Sequence, residues 1–183
     1  MQNCANILDE TEDGAQLRTD IGAGLKAATK VDWASWGLQM GYRYDGSPIC
    51  VPDNSTATPD DYDSYVPSAR PGGRAPHAWL SDGRSTLDLF GHGFVLLQFP
   101  AAQSNDIVAL QVAALKQGVP LSVVSIEDSA IAKLYEQPLV LVRPDGHVAW
   151  RGSHVDNAEL VINTVRGAVC TQDGVTSAVR GAK

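Results

Sequence analysis

The chain has 183 residues, of which 44% are hydrophobic and 19% charged, so it can bury a core of ordinary size. Its formal net charge of −7 comes without clustered Lys and Arg to neutralise phosphates, which argues against nucleic-acid binding. No apolar run approaches the roughly 20 residues of a membrane span and no export leader is visible, so we expect a cytoplasmic protein without membrane contact.

The spacing of the acidic residues and of the cysteines does not indicate a metal site. The acidic residues concentrate in two stretches, which we interpret as solvated loops because no Asp-x-Asp-x-Asp-Gly calcium loop is present. The members of these stretches are Asp9, Glu10, Glu12 and Asp13, and then Asp53, Asp60, Asp61 and Asp63. The cysteines, Cys4, Cys50 and Cys170, are far apart and odd in number, which argues against a disulfide framework or a zinc site.

The first third of the chain predicts one helix and a pair of strands. Apolar residues recur at helical spacing between residues 15 and 28, which indicates an amphipathic helix. Alternating residues over 37–44 predict a strand, followed by a turn at 45–48 and a short partner strand at 49–51. Residues 52–76 are rich in Pro, Asp, Ser, Thr and Gly, so we expect a long exposed crossing segment there.

The middle of the chain predicts a hairpin, a buried strand and a helix. The stretches 74–80 and 85–90 flank a Ser-Asp-Gly-Arg turn and are expected to pair. The apolar run 94–99 has the length of a buried central strand. Residues 104–116 predict a helix with Ser104 as its N-cap. The apolar positions of this helix are Ile107, Val108, Leu110, Ala114 and Leu115.

The following part predicts a strand, two helices and a closing hairpin. Residues 121–126 form a second buried strand in this interpretation, and 129–136 a short helix. The stretches 138–142 and 148–150 are expected to pair around a Pro-Asp-Gly turn. A final helix is expected at 156–169. The apolar positions of this helix are Leu160, Val161, Val165 and Val169.

The predicted element order, β-α-β-α-β-β-α, is the thioredoxin-like arrangement. A β-α-β unit gives a parallel strand pair and the final hairpin is antiparallel, so we predict an α/β fold with a mixed sheet flanked by helices. We expect an N-terminal extension of helix and strand at 1–66, the thioredoxin-like domain at 67–172 and a tail at 173–183. The bond before Pro138 lies where thioredoxin-like proteins often have a cis proline, and the sequence leaves its isomer open.

No catalytic residue emerges from the sequence. A redox-active thioredoxin fold places Cys-x-x-Cys at the start of the helix after the first central strand. Residues 100–105 read Pro-Ala-Ala-Gln-Ser-Asn at that place and contain no cysteine, so thiol chemistry is not expected. Gly22-x-Gly24 imitates a dinucleotide fingerprint, but it lies inside a predicted helix instead of following a strand. No Gly-x-Ser-x-Gly signature is present.

The four histidines show no metal-ligand spacing. His92 lies in a predicted turn, and His147 and His154, which follow a turn and lie in a loop, are expected to be exposed. His77 is close in sequence to Arg70, Arg74 and Trp79. Two interpretations of that group stay open, namely contact with a partner domain or anchoring of the crossing segment.

Several stretches of the chain carry a combined family signal. They are Gly-Leu-Gln-Met-Gly-Tyr-Arg-Tyr-Asp-Gly-Ser-Pro at 37–48, the run 67–80, Ser-Thr-Leu-Asp-Leu-Phe-Gly at 85–91, Phe-Val-Leu-Leu at 94–97 and Leu-Val-Arg-Pro-Asp-Gly-His-Val-Ala-Trp-Arg-Gly at 141–152. The first resembles the segment that leaves the flavin domain in FAD-dependent aromatic-ring hydroxylases of the phenol and 2,4-dichlorophenol hydroxylase type. The next three look like the entry to their C-terminal thioredoxin-like domain, and the last is similar to its closing hairpin.

The resemblance implies a role without catalysis in this chain. In that family an upstream region binds FAD, accepts hydride from NAD(P)H and hydroxylates a phenolic ring with molecular oxygen. The glycine-rich and Gly-Asp motifs of that region are absent from this sequence, so no catalytic or cofactor-binding residue is transferred. The resemblance implies an accessory domain, either isolated from a larger enzyme or produced in shortened form, since Met1 stands where the flavin domain would be ending.

The predicted functional site is an interaction surface. A face uncovered by loss of a flavin domain is expected to expose apolar side chains, with Trp33, Trp36, Leu38 and Met40 as candidates, and to cause self-association. The candidate interdomain or interface contacts are Trp36, Tyr42, Tyr44, Arg70, Arg74, His77 and Trp79. The expected partner is the flavin domain or a second copy in a homo-oligomer. The alternative is a stand-alone thioredoxin-like protein-interaction module without redox activity.

Overall fold

The computed structural model describes residues 6–169, except for the side chains of residues 31–33. These residues form two compact units. One holds the described residues up to Met40 together with Asp60–Tyr65, and the other holds Gly41–Pro59 and the described residues from Val66 onward. The proposed domain boundary at residue 66 stays a prediction, and Trp33, Cys4, Cys170 and the 173–183 tail lie outside the described side chains or residues.

The first unit is helical, and its long helix is the one that the sequence predicts. Helix α1, Glu12–Trp33, begins where the Thr11 hydroxyl accepts a hydrogen bond of 3.2 Å from the Gly14 amide. Acidic residues in its first turn and Lys30 in its last turn complement the helix dipole. Gly22 and Gly24 lie inside this helix, so they form no phosphate-binding turn.

The strand predicted at 37–44 is wrong. Residues Trp36–Met40 form a short helix, α2, and 41–44 continue without a strand partner. The Gly37 amide donates to the Tyr62 carbonyl at 3.1 Å, and a Cβ atom at Gly37 would lie 1.7 Å from the Asp61 carbonyl oxygen. This close approach of two backbones, which alternation in the sequence does not encode, decides the local conformation.

The second unit contains a four-stranded mixed sheet, as predicted. Its strands are β1 Phe94–Gln98, β2 Leu121–Ser125, β3 Leu139–Val142 and β4 Val148–Gly152. They are ordered β2-β1-β3-β4, with β1 parallel to β2 and the pairs β1–β3 and β3–β4 antiparallel. The predicted partner strand at 49–51 is not formed, although the Val51 amide donates to the Ala149 carbonyl of β4 at 2.8 Å.

Helices cover both faces of this sheet and create two cores. Helices α3 Ser104–Lys116 and α5 Ala158–Val165 cover one face, and helix α4 Ser129–Tyr135 covers the other. Large side chains of the first core include Leu96, Leu110, Leu139, Leu141 and Ile162. Large side chains of the second core include Val95, Leu97, Ile131, Tyr135 and Val140. Successive residues of β1 and β3 alternate between the two cores, as strand geometry requires.

Three local expectations are wrong. Gln103, without a side-chain hydrogen bond, is the N-cap of α3, and Ser104 is its first residue. Strand β2 is half-exposed because it is an edge strand, whereas the sequence suggested a buried one. The second arm of the predicted 74–90 hairpin is a 3-10 helix, Thr86–Leu89, joined to the first arm by one bridge between Trp79 and Ser85.

The crossing segment is buried in its second part, contrary to the expectation of exposure. Ala69 and Ala75 are fully or almost fully buried, and Pro76 is among the most buried side chains. The Pro76 carbonyl accepts hydrogen bonds from the Tyr135 hydroxyl at 2.7 Å and from the Thr86 hydroxyl at 2.9 Å. These bonds seat the segment against α4 and the 3-10 helix.

The peptide bond before Pro138 is trans. Within residues 6–169, helices are either too short or too polar to cross a bilayer, and His, Cys, Asp and Glu side chains form no cluster of three suited to a metal ion.

Candidate interdomain site

The turn of the closing hairpin is held together by its own side chains. The Arg143 guanidinium contacts the Asp145 carboxylate through Nη2 at 2.9 Å and Nε at 3.3 Å. The Asp145 carboxylate also accepts a hydrogen bond of 3.1 Å from the His147 amide. These contacts fix the side chains of the turn at the end of β3 and β4.

His147 lies beneath two tyrosine rings, and the prediction that it is exposed is wrong. Its side chain is 4% exposed, with ring centroids 5.3 Å from Tyr42 and 4.8 Å from Tyr44. The two tyrosine rings meet edge to face at 6.1 Å and are each somewhat under half exposed. We call Tyr42, Tyr44, Arg143, Asp145 and His147 the hairpin-end cluster. Period-two spacing puts both tyrosines on one side of the extended 41–44 segment.

The hairpin-end cluster contains buried polar atoms that the described residues leave without hydrogen bonds. They are Arg143 Nη1 and both ring nitrogens of His147, although His147 Nδ1 lies 3.5 Å from Asp145 Oδ1. Such atoms cost free energy when they are buried without a partner. Cys50 is also buried, and burial raises the pKa of its thiol despite the opposing charge of Arg143. The thiol therefore stays protonated at neutral pH and is a poor nucleophile.

The segment at residues 72–75 lines the outer edge of β4 and carries Arg74 to the site. Gly72 and Gly73 exchange backbone hydrogen bonds with Val148, and Arg74 forms a bridge with His147. Tyr44 is attached to this segment because its amide donates to the Gly72 carbonyl at 2.9 Å. A shallow pocket of about 230 Å³ lies beside the turn. Its walls are Arg74, Leu87, Phe90, Pro144, Asp145 and Gly146.

Arg70 holds the preceding turn in place. It forms an ion pair with Asp45, which Arg43 also contacts at 3.2 Å. The hydrogen bond from Arg70 is the main cause that lowers the pKa of Asp45, with Arg43 contributing less. Arg70 Nε also donates to the Ser55 carbonyl at 3.1 Å. Arg70 therefore anchors the crossing segment, which is one of the two roles that the sequence left open.

A buried arginine that sequence reasoning missed anchors the same segment to the sheet. Arg151 of β4 is 4% exposed in its side chain and contacts Asp53 at 2.6 Å and Glu136 at 2.9 Å. Asp53 is therefore an ion-pair partner, and the expectation that it lies in a solvated loop is wrong. The signal that could have found this pair is the Asp-x-Ser turn, in which the Ser55 amide donates to Asp53 at 3.0 Å.

The other predicted contacts lie elsewhere on the surface. His77 and Trp79 are exposed and meet edge to face, with ring centroids 4.9 Å apart. Trp36 belongs to the first unit and is 60% exposed, as is Leu38 at 61%, whereas Met40 is half-buried. His154 is exposed as predicted, and its ring contacts the buried Asp106 carboxylate at 2.9 Å. The structure thus brings Tyr42, Tyr44 and Arg74 together around the closing hairpin, with Arg70 attached through Asp45.

The sheet order, its register and the flanking helices define the described second unit as a thioredoxin-like domain. The profile of the family described as aromatic-ring hydroxylase, C-terminal, matches residues 68–168. This match covers more than half of the chain, and the chain belongs to that family.

Individual relatives agree with this assignment. The chain is 39% identical over 155 residues to the FAD-dependent monooxygenase apdD of Emericella nidulans, covering 81% of this chain and 24% of that protein. It is 33% identical to 2,4-dichlorophenol 6-monooxygenase of Cupriavidus pinatubonensis, covering 96% of this chain and 33% of that protein. The structure of the rebeccamycin biosynthetic enzyme RebC in its substrate-free form matches with a TM-score of 0.72 and 38% identity, over 90% of this chain and 30% of that one. The chain thus spans about a quarter to a third of the curated relatives it matches.

The pocket beside the closing hairpin does not fit the flavin that this family implies. The pocket beside the hairpin, at about 230 Å³, is smaller than the roughly 300–1,000 Å³ of sites for drug-sized ligands, and FAD is a large ligand. The Gly22 and Gly24 amides lie within α1, where helix hydrogen bonds occupy them. The chemistry available at the hairpin-end cluster is recognition by aromatic rings and arginines.

Proposed function

We propose that this chain is a non-catalytic accessory domain of an FAD-dependent aromatic monooxygenase, which docks on the flavin-binding part through the hairpin-end cluster. The family membership carries the proposal, because the chain matches only a C-terminal share of relatives named as FAD-dependent or phenol-type monooxygenases. FAD and NAD(P)H would be held outside this chain, which the small pocket and the helical position of Gly22 and Gly24 support.

The composition of the hairpin-end cluster and its surroundings suits docking. Tyrosine and arginine are the residue types enriched where proteins meet, because each combines apolar area with a polar group. The hairpin-end cluster and the residues around it carry more arginines than aspartates, whereas the whole chain is acidic. The arginines are Arg43, Arg70, Arg74 and Arg143, and the aspartates are Asp45 and Asp145. The partner surface that fits is therefore acidic.

We also propose a reducing, cytoplasmic setting and self-association of the chain. The odd number of widely spaced cysteines and the free thiol of Cys50 support the first. Exposed apolar side chains, including Trp36 and Leu38, support the second.

Purification of the natural gene product tests the accessory function. A C-terminal tag on this chain at its chromosomal locus is expected to recover stoichiometric FAD, in the same polypeptide or in a bound one. The recombinant 183-residue chain is expected to be colourless. Flavin-free natural protein would overturn the proposal and favour a stand-alone interaction module.

Amide hydrogen exchange tests the docking surface. Peptides that contain Tyr42, Tyr44 and His147 are expected to exchange more slowly in the flavin-bearing protein than in the recombinant chain, because docking covers them. The exposed turn at Asp82 and Gly83 serves as the control and is expected to exchange equally in both. Equal exchange at the tyrosine peptides contradicts docking through this surface.

A further inference from the structure

The shallow pocket beside the turn of the closing hairpin is formed by three separate parts of the chain. These are the 72–75 segment, the 3-10 helix with the residue that follows it, and the turn itself. The walls are Arg74, Leu87, Phe90, Pro144, Asp145 and Gly146. We call this space the hairpin pocket. Of its walls, only Asp145 also belongs to the hairpin-end cluster, so the pocket is a feature of its own.

Hydrogen bonds within the chain hold the walls of the hairpin pocket in place. The Leu87 amide donates to the Ser85 hydroxyl at 3.0 Å, and the Ser85 amide donates to the Asp88 carboxylate at 2.8 Å, which fixes the 3-10 helix. In the turn, the Gly146 amide donates to the Arg143 carbonyl at 2.9 Å. The pocket is therefore formed before a ligand arrives, as sites for small molecules usually are.

The apolar walls favour an aromatic ligand. Leu87 and Pro144 supply carbon surface, and Phe90 supplies a ring. Aromatic rings attract one another in edge-to-face and offset arrangements, beyond the effect of the area that they bury. Gly146 places no side chain against this ring, whereas a Cβ atom there would lie 3.9 Å from Phe90 Cδ2. Space beside the ring therefore stays open for a ligand.

The charged walls favour an anion. Arg74 supplies a guanidinium, which stays charged at physiological pH. The acidic wall, Asp145, contacts the Arg143 guanidinium through two nitrogens, at 2.9 and 3.3 Å, so its charge is compensated within the turn. A carboxylate suits a guanidinium especially well, because both groups are planar and can share two parallel hydrogen bonds.

The volume of the hairpin pocket limits the ligand to one ring. Its volume of about 230 Å³ exceeds the roughly 150 Å³ of an apolar cavity known to bind benzene. It falls short of the roughly 300 Å³ at which sites for drug-sized ligands begin. A single ring with one charged substituent fits between these limits.

We propose that the hairpin pocket is a binding site for a small one-ring aromatic carboxylate, whose carboxylate contacts Arg74 while its ring packs against Phe90. The inference goes beyond the proposed accessory function and does not depend on it. Binding is reversible and involves no reaction. Benzoate has few atoms and the pocket is shallow, so we expect a dissociation constant of about 1 mM.

Titration of the full chain with benzoate, followed by amide nitrogen–proton NMR spectra, tests the site. Saturable shifts are expected for the amides of Leu87, Phe90 and Gly146. Acetate lacks the ring and benzyl alcohol lacks the charge, so each is expected to bind at least about fivefold more weakly.

Two substitutions separate the charge from the ring. Arg74→Gln is expected to weaken benzoate binding by about tenfold and to leave benzyl alcohol binding unchanged, which a general collapse of the pocket would not do. Phe90→Leu keeps the wall apolar but removes the ring, and it is expected to weaken both ligands severalfold. Arg84→Gln is the matched control, because Arg84 is an exposed arginine outside the pocket, and it should leave benzoate binding unchanged.

Three results would overturn the proposed site. They are the absence of saturable shifts at these amides up to about 10 mM benzoate, equal binding of acetate and benzoate, and an unchanged benzoate affinity in Arg74→Gln. The flavin content of the natural protein, which tests the accessory function, is independent of all three.

Discussion

Arg151 holds a full positive charge at a position that water hardly reaches. Its side chain is 4% exposed, and its guanidinium is compensated by the carboxylates of Asp53 and Glu136. Burying an ion is costly unless partners surround it, so the buried guanidinium of Arg151 depends on these carboxylates. Glu136 ends α4 with a left-handed backbone, φ of 66°, which non-glycine residues seldom adopt.

Removal of Arg151 tests this dependence. Arg151→Ala leaves Asp53 without its charged partner in a largely buried place, so we expect the free energy of unfolding to fall by about 3 kcal/mol. Arg84→Ala breaks an exposed ion pair with Asp82 and is expected to have a much smaller effect. Urea denaturation followed by tryptophan fluorescence measures both. Equal effects of the two substitutions would contradict a structural role for the buried group.

The same group makes stability depend on pH. Burial alone would raise the pKa of Asp53, but hydrogen bonds from Ser55 and Arg151 outweigh it, and the pKa lies below its ordinary value of 3.8. Because the folded state favours the ionised form, the contribution of Asp53 is fully present above the ordinary pKa. It is lost as the pH falls through the lower pKa of the folded state.

A pH series with Asp53→Asn checks this sign. At pH 7 the variant is expected to unfold more easily than the wild type, because an amide cannot balance the charge of Arg151. The difference should shrink as the pH falls below about 4, since the wild-type carboxyl is then protonated as well. Urea midpoints at several pH values measure it, and a difference that grows towards low pH would refute the assignment.

At the scale of elements, irregular segments close the outer edge of β4. An edge strand exposes unpaired amides and carbonyls, which invites pairing with other chains. Here Val51 donates to Ala149, while Gly72 and Gly73 bond with Val148. Gly72 has a φ of 90°, and a Cβ atom there would lie 2.9 Å from the Tyr44 carbonyl oxygen. Glycine at this position is thus what allows the 41–44 segment to approach the edge.

Two glycine substitutions separate backbone conformation from close approach. Gly83 has a similar φ of 84° but open space around it, so Gly83→Ala is expected to cost about 1–2 kcal/mol for the left-handed conformation alone. Gly72→Ala adds a collision with the Tyr44 carbonyl and should cost more. Thermal unfolding of both variants gives the comparison. Similar losses of stability in the two variants would show that the Tyr44 carbonyl moves away from a Cβ atom at residue 72 without cost.

The regular elements of the sheet could be predicted from the sequence, whereas the irregular ones could not. Runs such as Val95–Leu97 and Val140–Val142 are continuous and apolar because both sheet faces are covered, and that pattern is readable locally. The conformation at Gly37 depends on the Asp61 carbonyl, 24 residues away in the chain. The burial of His147 depends on Tyr42 and Tyr44, about a hundred residues earlier.

At the scale of the whole molecule, both cores belong to the second unit. The residues that form or pack against them begin at Val51 and end at Val165, and none of the described side chains up to Met40 is among them. The hydrophobic driving force for folding the sheet is therefore complete without α1 and α2.

Truncation tests this independence. Deletion of residues 1–40 is expected to preserve one cooperative unfolding transition for the second unit. Deletion of residues 1–59 also removes Val51 and Asp53, which exposes the edge of β4 and leaves Arg151 without its closest partner, so a marked loss of stability is expected. Near-ultraviolet circular dichroism during urea unfolding measures both, and loss of cooperativity in the shorter deletion would contradict the assignment of the cores.

The sequence alone determined the class of fold and what the chain lacks. Apolar runs, helical spacing and the Pro-Asp-Gly turn are local, so they indicate the thioredoxin-like order, and residues 100–105 show the missing thiols directly. Tertiary structure decided which residues form the surfaces. The same apolar spacing in α3 buries Leu110 and exposes Leu115, because burial depends on where the sheet lies. The tyrosines and His147 form one site only because the chain brings distant segments to the same end of a hairpin.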